Sequence, residues 1–217
     1  MRTHLLILAL LATVLAARGF ASDKPFVMPA AQPAQTYPAH DAHTQEKASI
    51  AADPYDTPQK NSIFRQDYFS QELLPVFVVV TNDGAAPLSL TGMTLELDLG
   101  HARIQPASEN DILRVMAHPR QPGPSKIPIP VPLPHKSDKR AQKISDELEL
   151  AQFHAFAIEP HTSRGGFFFF DISNISAPLS SARLIVSHIK NGSGNELFYF
   201  EIPLEEGVSA TSAPQTQ

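Results

Sequence analysis

The apolar positions fall into short runs with strand periods, and the longest, Leu73-Leu74-Pro75-Val76-Phe77-Val78-Val79-Val80-Thr81, organises the rest. Its β-branched residues lose the χ1 freedom that a helix demands, and its length suits a strand. Apolar side chains occupy both parities, so the run predicts a central strand covered on both faces. The turn signal Asn82-Asp83-Gly84 follows, then a second run from Leu88 to Leu99 in which the phase changes. Leu88 and Leu90 share one parity. Met93, Leu95, Leu97 and Leu99 share the other, with Thr94, Glu96 and Asp98 as the wet face. A one-residue slip in a period-two pattern turns every side chain over, so a bulge or bend is expected at Thr91-Gly92, as where a strand crosses between the sheets of a sandwich.

Further stretches carry strand signals. Ala48–Ala52 reads as a first short strand, stopped by the turn Asp53-Pro54-Tyr55-Asp56-Thr57-Pro58, and Ile63, Phe64, Tyr68 and Phe69 lead into the central run. Gly165-Gly166 is expected to turn the backbone into Phe167-Phe168-Phe169-Phe170, whose rings must stand on both faces of a strand. One pair fills the core; the other lies under a helix or loop, or forms an exposed patch in which Phe167 and Phe169 contact a partner. Arg183–Ile189, the reversal through Asn191-Gly192, and Glu196–Leu204 read as a hairpin. Alternation puts Phe198, Phe200 and Ile202 on one face and Leu197, Tyr199 and Glu201 on the other.

Helix signals are confined to the region between these strands. Ser108-Glu109-Asn110-Asp111 resembles a capping box, with Ile112, Leu113, Val115 and Met116 after it and His118-Pro119 as the stop. Asp138 to Gln152 reads as a surface helix with Ile144, Leu148 and Ala151 on its apolar stripe and Lys139, Arg140, Lys143, Glu147 and Glu149 off it. A proline cluster separates the two and ends in strict alternation, Ile127-Pro128-Ile129-Pro130-Val131-Pro132-Leu133-Pro134. As an extended strand it has no donors along the proline edge, leaving Ile127, Ile129, Val131 and Leu133 to pair on the other, which describes a blocked edge strand. The alternative is a proline-rich ligand for an aromatic groove on a partner.

Composition adds the compartment. Arg2 and His4 precede a short apolar run from Leu5 to Ala17 and then Gly19-Phe20-Ala21, the pattern of a secretory signal peptide over residues 1–21. The run is shorter than the ~20 residues that span a bilayer. The chain has no Cys, which rules out a disulfide scaffold and a lipid anchor through Cys, so stability rests on the core. Residues 22–47, rich in Ala, Pro, Gln and Thr, read as a disordered linker, and 206–217 as a fraying tail. With Lys+Arg 17 against Asp+Glu 22 and no basic tract, nucleic-acid binding is disfavoured.

Candidate chemistry is scattered. His40 and His43 form an H-x-x-H pair without a third ligand, whereas a closed metal site takes four. Asp53, Asp56 and Asp67 are oxygen donors without the spacing of a calcium loop, and turn capping accounts for them. Glu159, His161 and Ser163 are triad residue types on one loop, where neighbouring side chains diverge, and no nucleophile elbow is present. His101, His118, His135, His154 and His188 are isolated. Asn174-Ile175-Ser176 and Asn191-Gly192-Ser193 match the glycosylation sequon and are chance matches if the source is bacterial. No catalytic, cofactor or metal residue is therefore assigned.

The run Ala52-Asp53-Pro54-Tyr55-Asp56, followed by Leu74-Pro75-Val76-Phe77-Val78-Val79-Val80-Thr81-Asn82, resembles a group of secreted bacterial proteins of unknown function. The later stretch Glu159-Pro160-His161-Thr162-Ser163-Arg164-Gly165-Gly166 with its phenylalanines is similar to immunoglobulin-like extracytoplasmic domains. The resemblance implies an all-β, immunoglobulin-like antiparallel sandwich over 48–205 with a helical and Pro-rich insertion near 105–152, exported to the periplasm or beyond. It implies no active site. Three readings stay open: a non-enzymatic module binding a protein or envelope component, a structural or assembly-assisting protein, and an enzyme or metal carrier with dispersed ligands. An open second Phe face favours the first and a sealed one the second; convergence of three ligands would favour the third.

Overall fold

A computed structural model describes residues 25–117, 137–173, 175, 179 and 181–204. The strands are β1 (His40–His43), β2 (Ala48–Pro54), β3 (Leu73–Asn82), β4 (Leu88–Ser89), β5 (Thr94–Asp98), β6 (Arg103–Ile104), β7 (Ala157–Ile158), β8 (Thr162–Asp171), β9 (Arg183–Ser187) and β10 (Phe200–Pro203). The α-helices are α1 (Pro58–Asn61), α2 (Glu109–Ala117) and α3 (Ser137–Ala151). Two antiparallel four-stranded sheets, β1-β2-β3-β8 and β10-β9-β5-β6, form a β-sandwich, with a two-stranded sheet β4-β7 beside them.

The central run is β3, buried along its whole length and paired with β2 on one side and, from Leu73↔Asp171 to Asn82↔Thr162, with β8 on the other. One parity, Leu74, Val76, Val78 and Val80, meets Leu95, Leu97, Leu184, Val186, Phe200 and Ile202 of the facing sheet. The other parity, with Leu73, Phe77 and Val79, packs beneath the N-terminal segment and the helices. The first sheet is thus a middle layer, which explains why its best strand lacks a polar face. The phase change after Leu90 is also accounted for: Leu88 pairs with Ile158 in the small sheet, Gly92 takes φ +92°, and β5 enters the second sheet.

Phe168 and Phe170 join the core between the sheets, while Phe167 and Phe169 point outward and are 0% and 1% exposed. Phe167 is ringed by Tyr55 at 4.8 Å, Phe64 at 4.9 Å, Phe77 at 5.1 Å and Phe26 at 6.3 Å between centroids. Burial of each such ring contributes about 1.5–3 kcal/mol. Above them lie Ile112 and Met116 of α2 and Ile144, Leu148 and Ala151 of α3. The capping residues of α2 are in place, with Ser108 Oγ accepting from Asp111 N and donating to its carboxylate at 2.6 Å.

Several expectations are corrected. The linker assigned to 22–47 is packed from residue 25 onward: Phe26, Ala34 and Ala39 are buried, and β1 pairs with β2 from His40↔Ala51 to His43↔Ala48. Its few apolar side chains suffice because they enter cores built by other elements. Gly165-Gly166 makes no turn. Both residues lie inside β8, where a Cβ on Gly165 would stand 2.6 Å from the Phe77 ring and one on Gly166 2.4 Å from Phe153 Cα. The glycines admit close neighbours, since Phe153 N donates to Phe167 O at 3.3 Å and Ala107 N to Phe169 O at 2.7 Å along the outer edge of β8. Glu147, placed off the stripe of its helix, is 2% exposed and accepts from the backbone N–H groups of Arg65 (2.7 Å) and Gln66 (3.3 Å). In the last hairpin, positive φ falls on His188 and Gly194 rather than on Asn191 or Gly192, and regular pairing resumes only at Phe200↔Val186. The signal segment, the proline cluster and the tail lie outside the described residues.

Candidate functional site

The two sheets meet at one side along β1 and β10, and side chains of β1 close the seam. Asp41 Oδ2 accepts from Glu201 N at 2.9 Å, and Glu46 Oε1, in the β1–β2 turn, accepts from Phe198 N at 3.0 Å. Both donors belong to the outer edge of the second sheet, which would otherwise offer unpaired N–H groups. Between the carboxylates stands His43, with Nδ1 2.8 Å from Glu46 Oε2 and Nε2 3.4 Å from Asp41 Oδ2. Its ring lies flat on Phe200, with 4.0 Å between centroids and 12° between planes.

The chain between Leu197 and Phe200 leaves two large rings in solvent. Alternation would bury Phe198 beside Phe200, but the strand begins only at Phe200, and Glu46 holds the preceding backbone away from strand pairing. Phe198 is 67% and Tyr199 46% exposed, stacked on each other at 4.8 Å and 27°. Phe198 also walls a shallow groove with Ala42, His43, Thr44, Gln45 and Glu46. A third exposed aromatic, Phe156, stands apart on the connection into β7. An aromatic pair beside a polar groove is a surface that can hold a partner.

The residues singled out in the sequence do not converge there. Phe167 and Phe169 are sealed in the outer core, so neither can touch a partner. Ile127, Ile129, Val131 and Leu133 lie outside the described residues. His40 and His43 stand at opposite parity of a strand, with His40 Nδ1 2.7 Å from Tyr37 O, so they cannot share a metal. Among the described residues no group of His, Cys, Asp or Glu side chains is gathered for a metal ion. Asp53 is held by Lys60 Nζ at 2.7 Å, and Thr57 caps α1. Ser163 Oγ is bonded to Thr81 Oγ1 at 2.7 Å. His154 Nε2 lies 2.8 Å from Glu149 O, and His188 Nδ1 2.9 Å from Glu196 Oε1. Asn191 Oδ1 accepts from Ser193 N and Asn195 N to hold the hairpin loop. Sequence reasoning missed the seam because its carboxylates and its donors are about 150 residues apart in the chain.

Among the described residues no helix is long and apolar enough to cross a membrane. Comparisons of the chain with protein-family models, with curated proteins and with solved structures find no match.

Proposed function

We propose that the chain is a non-enzymatic, exported module with an immunoglobulin-like sandwich, of the kind its sequence resembles, and that it binds a protein or envelope component through the seam corner. The observation that carries this reading is the stacked Phe198–Tyr199 pair left in solvent beside the β1–β2 turn. Exposing two such rings forgoes several kcal/mol of burial, about 1.5–3 each, a cost consistent with a surface that a partner covers. The immunoglobulin-like part is supported by strand order. With β2, β3 and β8 taken as strands A, B and E, and β5, β6, β9 and β10 as C, C′, F and G, the sheets have the pairing of that sandwich, and α2 and α3 stand in the sequence where strand D would run. Export is supported by the signal pattern in residues 1–21.

A structural or assembly-assisting role is the second reading, favoured by the sealing of Phe167 and Phe169. The two readings part on one experiment: capture from the envelope extract of the source cell with the parent chain and with Phe198→Ser/Tyr199→Ser. A partner retained by the parent and lost by a variant of unchanged melting temperature supports the binding module. Identical capture by both would leave the corner without a role and favour the scaffold.

A further inference from the structure

Resting on that reading of the corner, we infer that its partner is a basic polypeptide segment, with a lysine or arginine side chain laid on the Phe198–Tyr199 rings in the field of Asp41 and Glu46. An aromatic face attracts a cation through its quadrupole, and a nearby carboxylate adds to that attraction. The charges around the rings are predominantly acidic. Arg183 is engaged by Glu201 at 2.7 Å, and Glu196 lies 2.9 Å from His188 Nδ1 and opposite Lys190 across a backbone bridge. Lys47 has its Cβ beside Gly84, and its carbonyl accepts from Asp83 N at 2.8 Å. Glu46, bonded to Phe198 N, and Asp41, on the other side of His43, thus set acidic charge beside the rings, on a chain of net charge −5.

The state of those carboxylates decides between ligand chemistries. Each already accepts a backbone N–H and lies against His43, which fixes the two negative charges beside the ring faces. A neutral sugar stacked on the rings gains nothing from that charge. A lysine or arginine gains from both the charge and the rings. An anionic lipid surface is repelled by the same carboxylates. A basic segment is the occupant whose charge complements the corner.

The test is ¹⁵N NMR titration of the full chain with acetylated tetralysine amide and tetraarginine amide, against tetraglutamate amide, cellotetraose and phosphatidylglycerol vesicles. Saturable shifts at the amides of Glu46, Phe198 and Tyr199 are expected with the two cationic peptides alone, weakening as salt is raised. Binding should fall about tenfold in Phe198→Ala/Tyr199→Ala. It should also fall about threefold in Glu46→Gln, which keeps an acceptor for Phe198 N–H while removing the charge. Unmoved corner amides, equal response to tetraglutamate, or response to cellotetraose or vesicles alone would overturn the inference. If the corner still captures an envelope partner through Phe198 and Tyr199 while neither cationic peptide binds, the partner reading stands and its basic character is refuted.

Discussion

At the scale of single residues, the outer core contains one polar pair whose two members have opposite effects. Glu147 is the acceptor for Arg65 N and Gln66 N, so Glu147→Ala strands two backbone donors under α3 and should cost about 2–4 kcal/mol, read from denaturant melts. Tyr68 beside it is fully buried, and its hydroxyl lies near the Glu147 carboxylate without a hydrogen bond of good geometry. Burial, and then the Glu147 carboxylate, push that phenol far above its ordinary range, and burial followed by Asp53 raises Tyr55 as well. A phenol whose folded-state pKa is raised contributes stability that is complete below its unfolded pKa of about 10 and is lost as pH rises above it. Tyr68→Phe removes an unsatisfied hydroxyl together with this titration. The expected result is equal or greater stability at neutral pH and a later alkaline unfolding midpoint, followed by circular dichroism. A destabilised variant would show that the hydroxyl has a partner.

At the scale of elements, strands were legible where their signal was local. The Leu73–Thr81 run announces a doubly covered strand because nothing polar interrupts either parity, and the slip between Leu90 and Met93 announces the change of sheet. β1 was hidden because His40, Asp41, Ala42 and His43 have no apolar alternation; they are held by β2 and by the seam. Alternation places Phe198 on one face with Phe200 and Ile202, and the structure departs from it for the opposite reason: the pattern is good, but a carboxylate from the first hairpin takes the Phe198 N–H. The pair Gly165-Gly166 was read as a turn when the chain needs it for clearance, and this difference is testable. Gly166→Ala places a methyl against Phe153 backbone, which cannot yield as a side-chain tip would. We expect a loss of about 1–3 kcal/mol and faster exchange of the Phe153 amide as the segment lifts from β8. Unchanged protection there would mean that the outer edge of β8 is covered by other contacts.

At the scale of the whole molecule, the sandwich is closed differently along its two sides. On the β8 side, backbone groups of Ala107 and Phe153 bond the strand edge directly, so closure there is part of the folded insertion. On the other side, closure depends on Asp41 and Glu46, whose side chains are each 28% exposed, so solvent screening weakens what each contributes. Replacing both with Ala frees Phe198 N and Glu201 N on the edge of β10 and takes both carboxylates from His43. We expect about 1–2 kcal/mol of destabilisation, a few degrees in melting temperature, because the freed donors can still reach water. The larger effect should be association: a strand edge with two new free donors beside Phe198 and Tyr199 is a template for a second chain. Sedimentation velocity should show concentration-dependent dimers in Asp41→Ala/Glu46→Ala that are absent in the parent. They should also be absent in Asp41→Asn/Glu46→Gln, where amide oxygens still occupy the donors. Dimers in the amide variant too would trace the association to lost charge repulsion between copies, and monomers throughout would mean that β1 shields the edge without its carboxylates.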